Sequence, residues 1–210
     1  QVAAAQAAVV DEAISALLGG LSQRPDAAQW STLLASLGGV PLGEHGRLGW
    51  GTPQLYGEEL QMVAVVRPAG GLPVAIRRPE LYQVPDLAAT LASLLGQPPS
   101  PSQLWGRDLL QLGAAESPDR WPSDHALAML SSGGQLWLRS PAWSAAWHPD
   151  DESTPQRLFV KPDDRWEVSD IADRRRDILE RHQVLAEAFL QAIDAGDRSR
   201  LPALEDELCN

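Results

Sequence analysis

A glycine-rich stretch of the chain contains four candidate ligand-binding residues, His45, Arg47, Trp50 and Thr52. Histidine is a side chain that can bind a ligand or hydrogen-bond to the backbone near neutral pH. An indole ring can stack on an apolar ligand face. The segment has no helical or strand period, and ordered loops that follow a strand commonly lie where ligands bind. The stretch is therefore a candidate ligand-binding loop.

Two residues of this loop have a second interpretation. The carboxylate of Glu44 and the imidazole of His45 could hydrogen-bond to nearby backbone groups and hold the loop in shape. We favour this structural role for the pair, and direct contact of His45 with a ligand is the alternative.

A second polar group occupies residues 148–152, where one histidine is followed closely by three acids. Calcium loops alternate their oxygen ligands and place a glycine at the sharp turn, and this segment has neither feature. It is interpreted as a solvated connection between strands. No ligand role is assigned to two isolated histidines, His125 and His182.

Three of the eight tryptophans, Trp137, Trp143 and Trp147, fall in one predicted β region at even spacings. Even spacings on a strand place side chains on one face, so the three could form one aromatic surface. We expect that face to pack under the C-terminal helix. A carbohydrate-binding platform is the alternative.

The composition is that of a folded acidic protein. Of the 210 residues, 44% are hydrophobic and 21% are charged, which is enough for a buried core. The net charge of -11 would repel a polyanionic backbone, so nucleic acid is not expected as a partner. We find no run of about 18 apolar residues and expect neither a membrane span nor a signal peptide, and hence a soluble chain.

The single cysteine, Cys209, allows no internal disulfide and no cysteine metal site, and the cellular compartment stays open. The chain begins at Gln1, directly in helical sequence, which we interpret as a piece of a longer protein.

Hydrophobic periodicity predicts an α/β segment followed by an antiparallel one. The first contains a helix, two strands and a second helix, over residues 1–21, 30–37, 60–67 and 84–96. The second contains three β-type runs, a short strand and an amphipathic helix, over residues 125–131, 135–147, 156–160, 165–170 and 173–195. The last fifteen residues are acidic and are expected to fray. The predicted domains are 1–115, 116–200 and an acidic tail, 201–210.

Four motifs occur in the order in which the second half of one enzyme family carries them. They are Leu42-Gly43-Glu44-His45-Gly46, Leu55-Tyr56 with Glu58-Glu59, Val84 and Asp86-Leu87 with Gly106-Arg107, and Trp166-Glu167-Val168-Ser169-Asp170-Ile171. With these motifs the chain resembles the C-terminal part of sulfatases of the alkaline-phosphatase superfamily. The resemblance implies an α/β fold, with a partial three-layer αβα sheet followed by a small C-terminal antiparallel sheet and a packed helix.

The resemblance also implies where the chemistry of such enzymes would lie. They bind a divalent cation such as calcium through oxygen ligands, and their nucleophile lies in an N-terminal half that this chain lacks. The remaining metal-ligand motif falls on residues 35–39, where Leu37 and Gly38 stand in place of ligating side chains. The sulfate-binding lysine or histidine falls near Thr52. No metal, cofactor or catalytic residue is therefore expected here.

The favoured function is that of a sulfatase-like fragment, inactive by itself, with a sulfated or phosphorylated small molecule or glycan as its ligand class. One alternative is a sulfate or phosphate ester hydrolase whose catalytic half lies outside this chain. The other is a carbohydrate-binding module that uses the three tryptophans. Oligomeric state stays open.

Overall fold

The computed structural model describes residues 2–49, 55–71, 77, 81–97, 105–111 and 128–209. The chain divides into two compact units, Gln1–Trp50 with Met62–Arg77 and Gly51–Gln61 with Arg78–Asn210. The domain boundary predicted near residue 115 lies outside the described residues and stays a prediction. The three-layer arrangement also stays a prediction.

The first unit begins with helix α1, Val2–Ser22, in agreement with the predicted helix. Alanine supplies much of its sequence and favours the helical backbone. None of its side chains is buried, and its valines and leucines include Val9, Val10 and Leu17, each more than half exposed. Among the described residues, α1 is the one helix long and apolar enough to cross a membrane by length and composition. The expectation that no segment has these properties is therefore wrong, although core helices and signal sequences share them.

Two short strands complete the regular structure of the first unit. Strand β1, Thr32–Ala35, pairs antiparallel with strand β2, Ala64–Arg67. Serine side chains fasten both ends of the pair, because Val63 donates its backbone N–H to Ser36 Oγ at 2.8 Å and Ala69 donates to Ser31 Oγ at 3.0 Å. Both predicted strands are confirmed, over fewer residues than the periodicity suggested.

The second unit contains a four-stranded antiparallel meander. Its strands are β3, Ala128–Ser132, β4, Gln135–Arg139, β5, Trp143–Trp147, and β6, Arg157–Val160, in that spatial order. The predicted run 135–147 is thus two strands rather than one. It breaks because the backbone turns at residues 140–142, where Ser140 donates its N–H to the Trp143 carbonyl at 2.9 Å.

Helix α4, Arg176–Asp194, covers one face of this sheet and confirms the predicted amphipathic helix. Apolar residues at helical spacing give α4 one buried side, which includes Ile178, Leu179 and Leu185. Leu138 and Leu158 from the strands are fully buried against it. This cluster is the principal hydrophobic core of the second unit.

The three tryptophans of the sheet do not share a face. Trp143 and Trp147 belong to the core under α4, as expected, whereas Trp137 packs with Leu55 and Ala146 in a separate cluster. The register pairs Trp137 with Ala146, so the turn between the strands resets the alternation that the even spacing assumed. All three are at most 8% exposed. The predicted common aromatic surface, and with it the tryptophan carbohydrate platform, is wrong.

The C-terminal residues are docked, so the expected frayed tail is also wrong. Helix α5, Asp206–Cys209, buries Leu208 in the core under α4. The indole of Trp143 donates to the Glu207 carbonyl at 2.9 Å. Arg181 forms ion pairs with Glu205 and Glu207. Leu208 and the partly buried Leu204 thus pack against the core, which the acidic composition of the segment did not indicate.

Residues 165–170 form a turn and an irregular segment rather than the predicted strand. Glu167 has a left-handed backbone, with φ of 55°, which interrupts an extended chain. The Asp164 carboxylate accepts hydrogen bonds from the backbone N–H groups of Val168 and Ser169 at 3.0 and 2.9 Å. The hydrogen bonds to Asp164 therefore stabilise a turn, although the composition of the segment is typical of a strand.

Candidate functional site

The candidate ligand-binding loop is closed by its own backbone over residues 41–49. Leu42 and Leu48 form an isolated antiparallel bridge, and Gly49 donates its N–H to the Pro41 carbonyl at 3.1 Å. The Glu44 carboxylate accepts a hydrogen bond from the Leu42 N–H, and backbone N–H groups of Glu44 and Leu42 lower the pKa of that carboxyl. Glu44 thus has the structural role that the sequence favoured.

His45 and Arg47 lie in this same loop, and both are half-buried. His45 has φ of 51°, a left-handed conformation that a non-glycine residue adopts only where its surroundings fix it. Trp50 and Thr52, the other two predicted ligand-contacting residues, lie outside the described residues. The loop therefore holds a histidine and an arginine in one turn. The ligand-binding role of His45, Arg47, Trp50 and Thr52 stays a prediction.

Leu37 and Gly38, the positions aligned with metal ligands, lie two and three residues after the end of β1. Leu37 is 95% exposed, so its aliphatic side chain lies in solvent. The neighbouring Ser36 hydroxyl already accepts the Val63 N–H. In the part of the chain that the structure describes, no three histidine, cysteine, aspartate or glutamate side chains group closely enough to hold a metal ion.

The motif residues Asp86 and Arg107 form a buried ion pair, although they are 21 residues apart. Asp86 lies in the first turn of helix α3, Val84–Leu94, where its Oδ2 accepts the N–H of the N-cap residue Gln83 at 2.8 Å. Its Oδ1 accepts the Arg107 backbone N–H at 2.8 Å, and its Oδ2 accepts Arg107 Nη2 at 3.2 Å. The side chains are 2% and 9% exposed. This pair clamps the start of α3 to residues 105–111.

Thr90 of α3 and the motif residue Gly106 complete this clamp. Thr90 is fully buried, donates its hydroxyl to the Asp86 carbonyl at 2.7 Å and accepts the Leu109 N–H at 2.9 Å. Gly106 packs so tightly that a Cβ there would overlap the Pro85 carbonyl and lie 3.0 Å from the Asp86 nitrogen. The Asp-Leu and Gly-Arg motifs are thus scaffold rather than site.

A buried polar cluster around Glu167 was missed from the sequence. Its Oε1 lies 3.1 Å from Lys161 Nζ and accepts the Ser144 hydroxyl at 2.7 Å, while Oε2 accepts the Gly57 N–H at 2.8 Å. Burial lowers the pKa of Lys161, and the charge of Glu167 opposes that shift. The cluster joins helix α2, Gly57–Leu60, to the sheet.

The Asp151 carboxylate accepts hydrogen bonds from residues of its own turn. This agrees with the interpretation of residues 148–152 as a solvated connection between strands. Oδ1 accepts the backbone N–H and the hydroxyl of Ser153, and Oδ2 accepts the Thr154 hydroxyl at 2.7 Å. These bonds, chiefly those from the two hydroxyls, lower the pKa of Asp151 to about 2. Both carboxylate oxygens therefore stabilise the local turn.

His182 is fully buried on α4, which its isolated position in the sequence did not indicate. Its Nδ1 lies 2.8 Å from the Ile178 carbonyl, and its Nε2 lies 3.4 Å from the Ser140 hydroxyl. Burial is the main cause that lowers the pKa of His182 to about 4. The Ile178 carbonyl opposes the shift, and the nearby charge of Arg139 adds to it.

We expect His182 to make the second unit sensitive to acid. The unfolded pKa is 6.5 and the folded pKa is about 4, so the unfolded state binds more protons between these values. Stability is full above pH 6.5 and falls by about 3 kcal/mol as the pH drops towards 4. Urea unfolding across this range should show a shallower loss for His182→Gln than for the wild type. Equal slopes would contradict the assignment.

A structure of BT4656 in complex with its substrate, D-glucosamine-2-N,6-O-disulfate, matches 88% of this chain with a TM-score of 0.63 and 21% sequence identity. The chain has a sulfatase-like fold. It spans 39% of the length of the BT4656 chain. Fourteen chains of solved structures match in all, whereas no family model and no curated protein matches by sequence.

This sulfatase-like fold agrees with the coarse prediction of mixed helices and strands with a small antiparallel sheet. Because the identity is low, the likeness establishes the fold and leaves the chemistry to the residues themselves. Two buried ion pairs, Asp86 with Arg107 and Glu167 with Lys161, hold structural elements together. The loop that contains His45 and Arg47 remains the candidate ligand-binding segment.

Proposed function

We propose that the chain is part of a sulfatase-like protein that binds a sulfated or phosphorylated small molecule or glycan and does not by itself hydrolyse the ester. The observation that supports this most strongly is the replacement at the end of β1. By resemblance, Leu37 and Gly38 stand where metal-ligating side chains are expected, and neither has a side-chain donor atom. A hard cation requires oxygen ligands, and neither of these side chains supplies one.

The proposed ligand class is supported by the likeness to BT4656, whose substrate carries two sulfate groups on a glucosamine. A sulfate or phosphate group is an oxyanion, and cationic or hydrogen-bonding side chains recognise such groups. The fixed loop with His45 and Arg47 offers side chains of this kind.

A second candidate function is an ester hydrolase whose catalytic residues lie outside these 210 residues. It is supported by the length comparison, since more than half of the BT4656 chain has no counterpart here. Reading the genomic frame around this sequence would separate the two candidates. A Cys or Ser in a Cys/Ser-x-Pro-x-Arg context, together with paired aspartates, would favour the hydrolase.

An aryl sulfate assay tests the proposed lack of activity. With 4-nitrophenyl sulfate and added calcium, the purified chain is expected to release nitrophenol no faster than buffer does, because no site for the cation is formed at Leu37 and Gly38. If turnover persists through purification, its rate is measured in the variant Arg47→Met and in Arg24→Met, a control at an exposed arginine. If Arg47→Met abolishes that turnover and Arg24→Met retains it, the proposal is wrong.

A further inference from the structure

We propose that Arg157 binds a tetrahedral oxyanion, a sulfate or phosphate group, beside the ring of Tyr56. Neither residue is predicted as a ligand contact from the sequence. The proposal deepens the proposed function by naming the group that the ligand carries. It rests on that function only for the choice of sulfated and phosphorylated sugars as ligands.

Arg157 lies on β6, opposite Ala146, on the sheet face that Leu55 and Trp137 cover. Only 8% of the residue is exposed. Its guanidinium carbon lies 4.1 Å from the centre of the Tyr56 ring, and Nη2 lies 3.5 Å from the Leu55 carbonyl. Nη1 is buried and has no hydrogen-bond partner among the described residues.

Two other arginines of the second unit show how this chain satisfies a largely buried guanidinium group. Arg107 meets the Asp86 carboxylate, and Arg139 donates Nη1 to three carbonyls, those of Ser140, Pro141 and Trp143. Arg157 has one long carbonyl contact and an aromatic face instead. Neither contact supplies a negative charge, although a cation–π contact gives part of the compensation.

The carboxylate of Glu167 lies on the same side of the sheet as Arg157 and is already paired. Glu167 pairs with Lys161 and also accepts hydrogen bonds from Ser144 and Gly57. A buried cation without a counter-ion is costly, and a buried donor without a partner adds to that cost. An anion brought by a ligand would remove both costs.

The chemistry of the site fits an oxyanion with several equivalent oxygens. A guanidinium group is planar and always charged, and its parallel N–H groups match the oxygens of sulfate or phosphate. The Tyr56 ring lies against the guanidinium group of the buried Arg157, so little side-chain freedom is lost on binding. The surroundings are largely desolvated, which strengthens a charge-assisted hydrogen bond.

Sodium sulfate titration of the full chain tests the proposal, with sodium chloride of equal ionic strength as reference. Sulfate stabilises proteins generally, so the decisive quantity is the difference between variants. The wild type is expected to show a saturable rise in Tm, and Arg157→Met to need at least tenfold more sulfate for the same rise. Arg165→Met is the matched control, because Arg165 also stacks on an aromatic ring, that of Trp166, but is exposed. It should titrate like the wild type.

Calorimetry with inorganic sulfate, glucosamine 6-sulfate, glucosamine 6-phosphate and glucosamine completes the test. Binding of the charged compounds and not of glucosamine supports the proposal, whereas a wild type without saturable sulfate binding overturns it. Equal sulfate affinity in wild type and Arg157→Met also overturns it. If Arg157→Met does not fold, Arg157→Lys decides, since it keeps the charge and loses the planar fork. The chain could also bind sulfate through Arg157 and hydrolyse the ester. That result would support the Arg157 site and contradict only the proposed lack of activity.

Discussion

Replacing Gly106 with alanine is expected to destabilise the second unit by about 4 kcal/mol. A methyl group at this position would overlap the Pro85 carbonyl, which is a backbone atom and cannot move away by changing rotamer. The backbone would have to separate, and Asp86 would then lose its contacts with Arg107. Breaking a buried ion pair costs about 3–5 kcal/mol when one charge is left without its partner. Urea unfolding, followed by the fluorescence of the buried tryptophans, measures the loss.

Gly19→Ala is the matched control for this substitution. A methyl group at Gly19 meets nothing within 4 Å, and alanine favours the helix, so no loss is expected. A Gly106→Ala protein as stable as the wild type would show that the clamp between α3 and residues 105–111 is looser than described.

The substitution Glu167→Gln is expected to cost about 3 kcal/mol at neutral pH, because it leaves the ammonium group of Lys161 buried without a counter-ion. Glutamine keeps the size of the side chain, so the left-handed backbone at this position is not further strained. Burial already lowers the pKa of Lys161, and removing Glu167 removes the larger of the two charges that oppose this shift, the other being that of Asp164. The folded state then binds fewer protons than the unfolded state, so the deficit should shrink as the pH rises towards 10.5.

A double-mutant cycle with Lys161→Met checks this assignment. The double variant should be more stable than Glu167→Gln alone, since no unpaired buried charge remains. Glu187→Gln, on the exposed side of α4, is the control and should change the free energy of unfolding by less than about 0.5 kcal/mol. Additive effects of the two cluster substitutions, with no recovery, would mean that the ion pair is not coupled.

Local patterning predicted much of the fold. The spacing of Ile178, Leu179 and Leu185 defines a helix with one apolar side, and that side is the one buried. The Gly133-Gly134 pair lies at the hairpin between β3 and β4, where both residues have positive φ. In these places the information lies within a few neighbouring residues, so tertiary contacts need not be known.

The errors arise where distant residues decide the structure. Asp86 lies in the first turn of α3, but its partner Arg107 is 21 positions away and no local period indicates it. Trp137 was placed with Trp143 because the alternation was carried through a turn that resets it. Arg157 gave no signal as a ligand contact, since a single arginine in a β-type run is unremarkable until its burial is known.

The docking of Leu208 beneath α4 also bears on how the protein is made. Trp143 in the middle of the sheet completes its hydrogen bonding only with a carbonyl 64 residues further along the chain. During synthesis the meander and α4 therefore emerge with part of their apolar surface exposed. This surface is covered only when α5 has been synthesised. An emerging chain in that interval is open to chaperones and proteases, and resistance to proteolysis should appear only once residue 208 has left the ribosome.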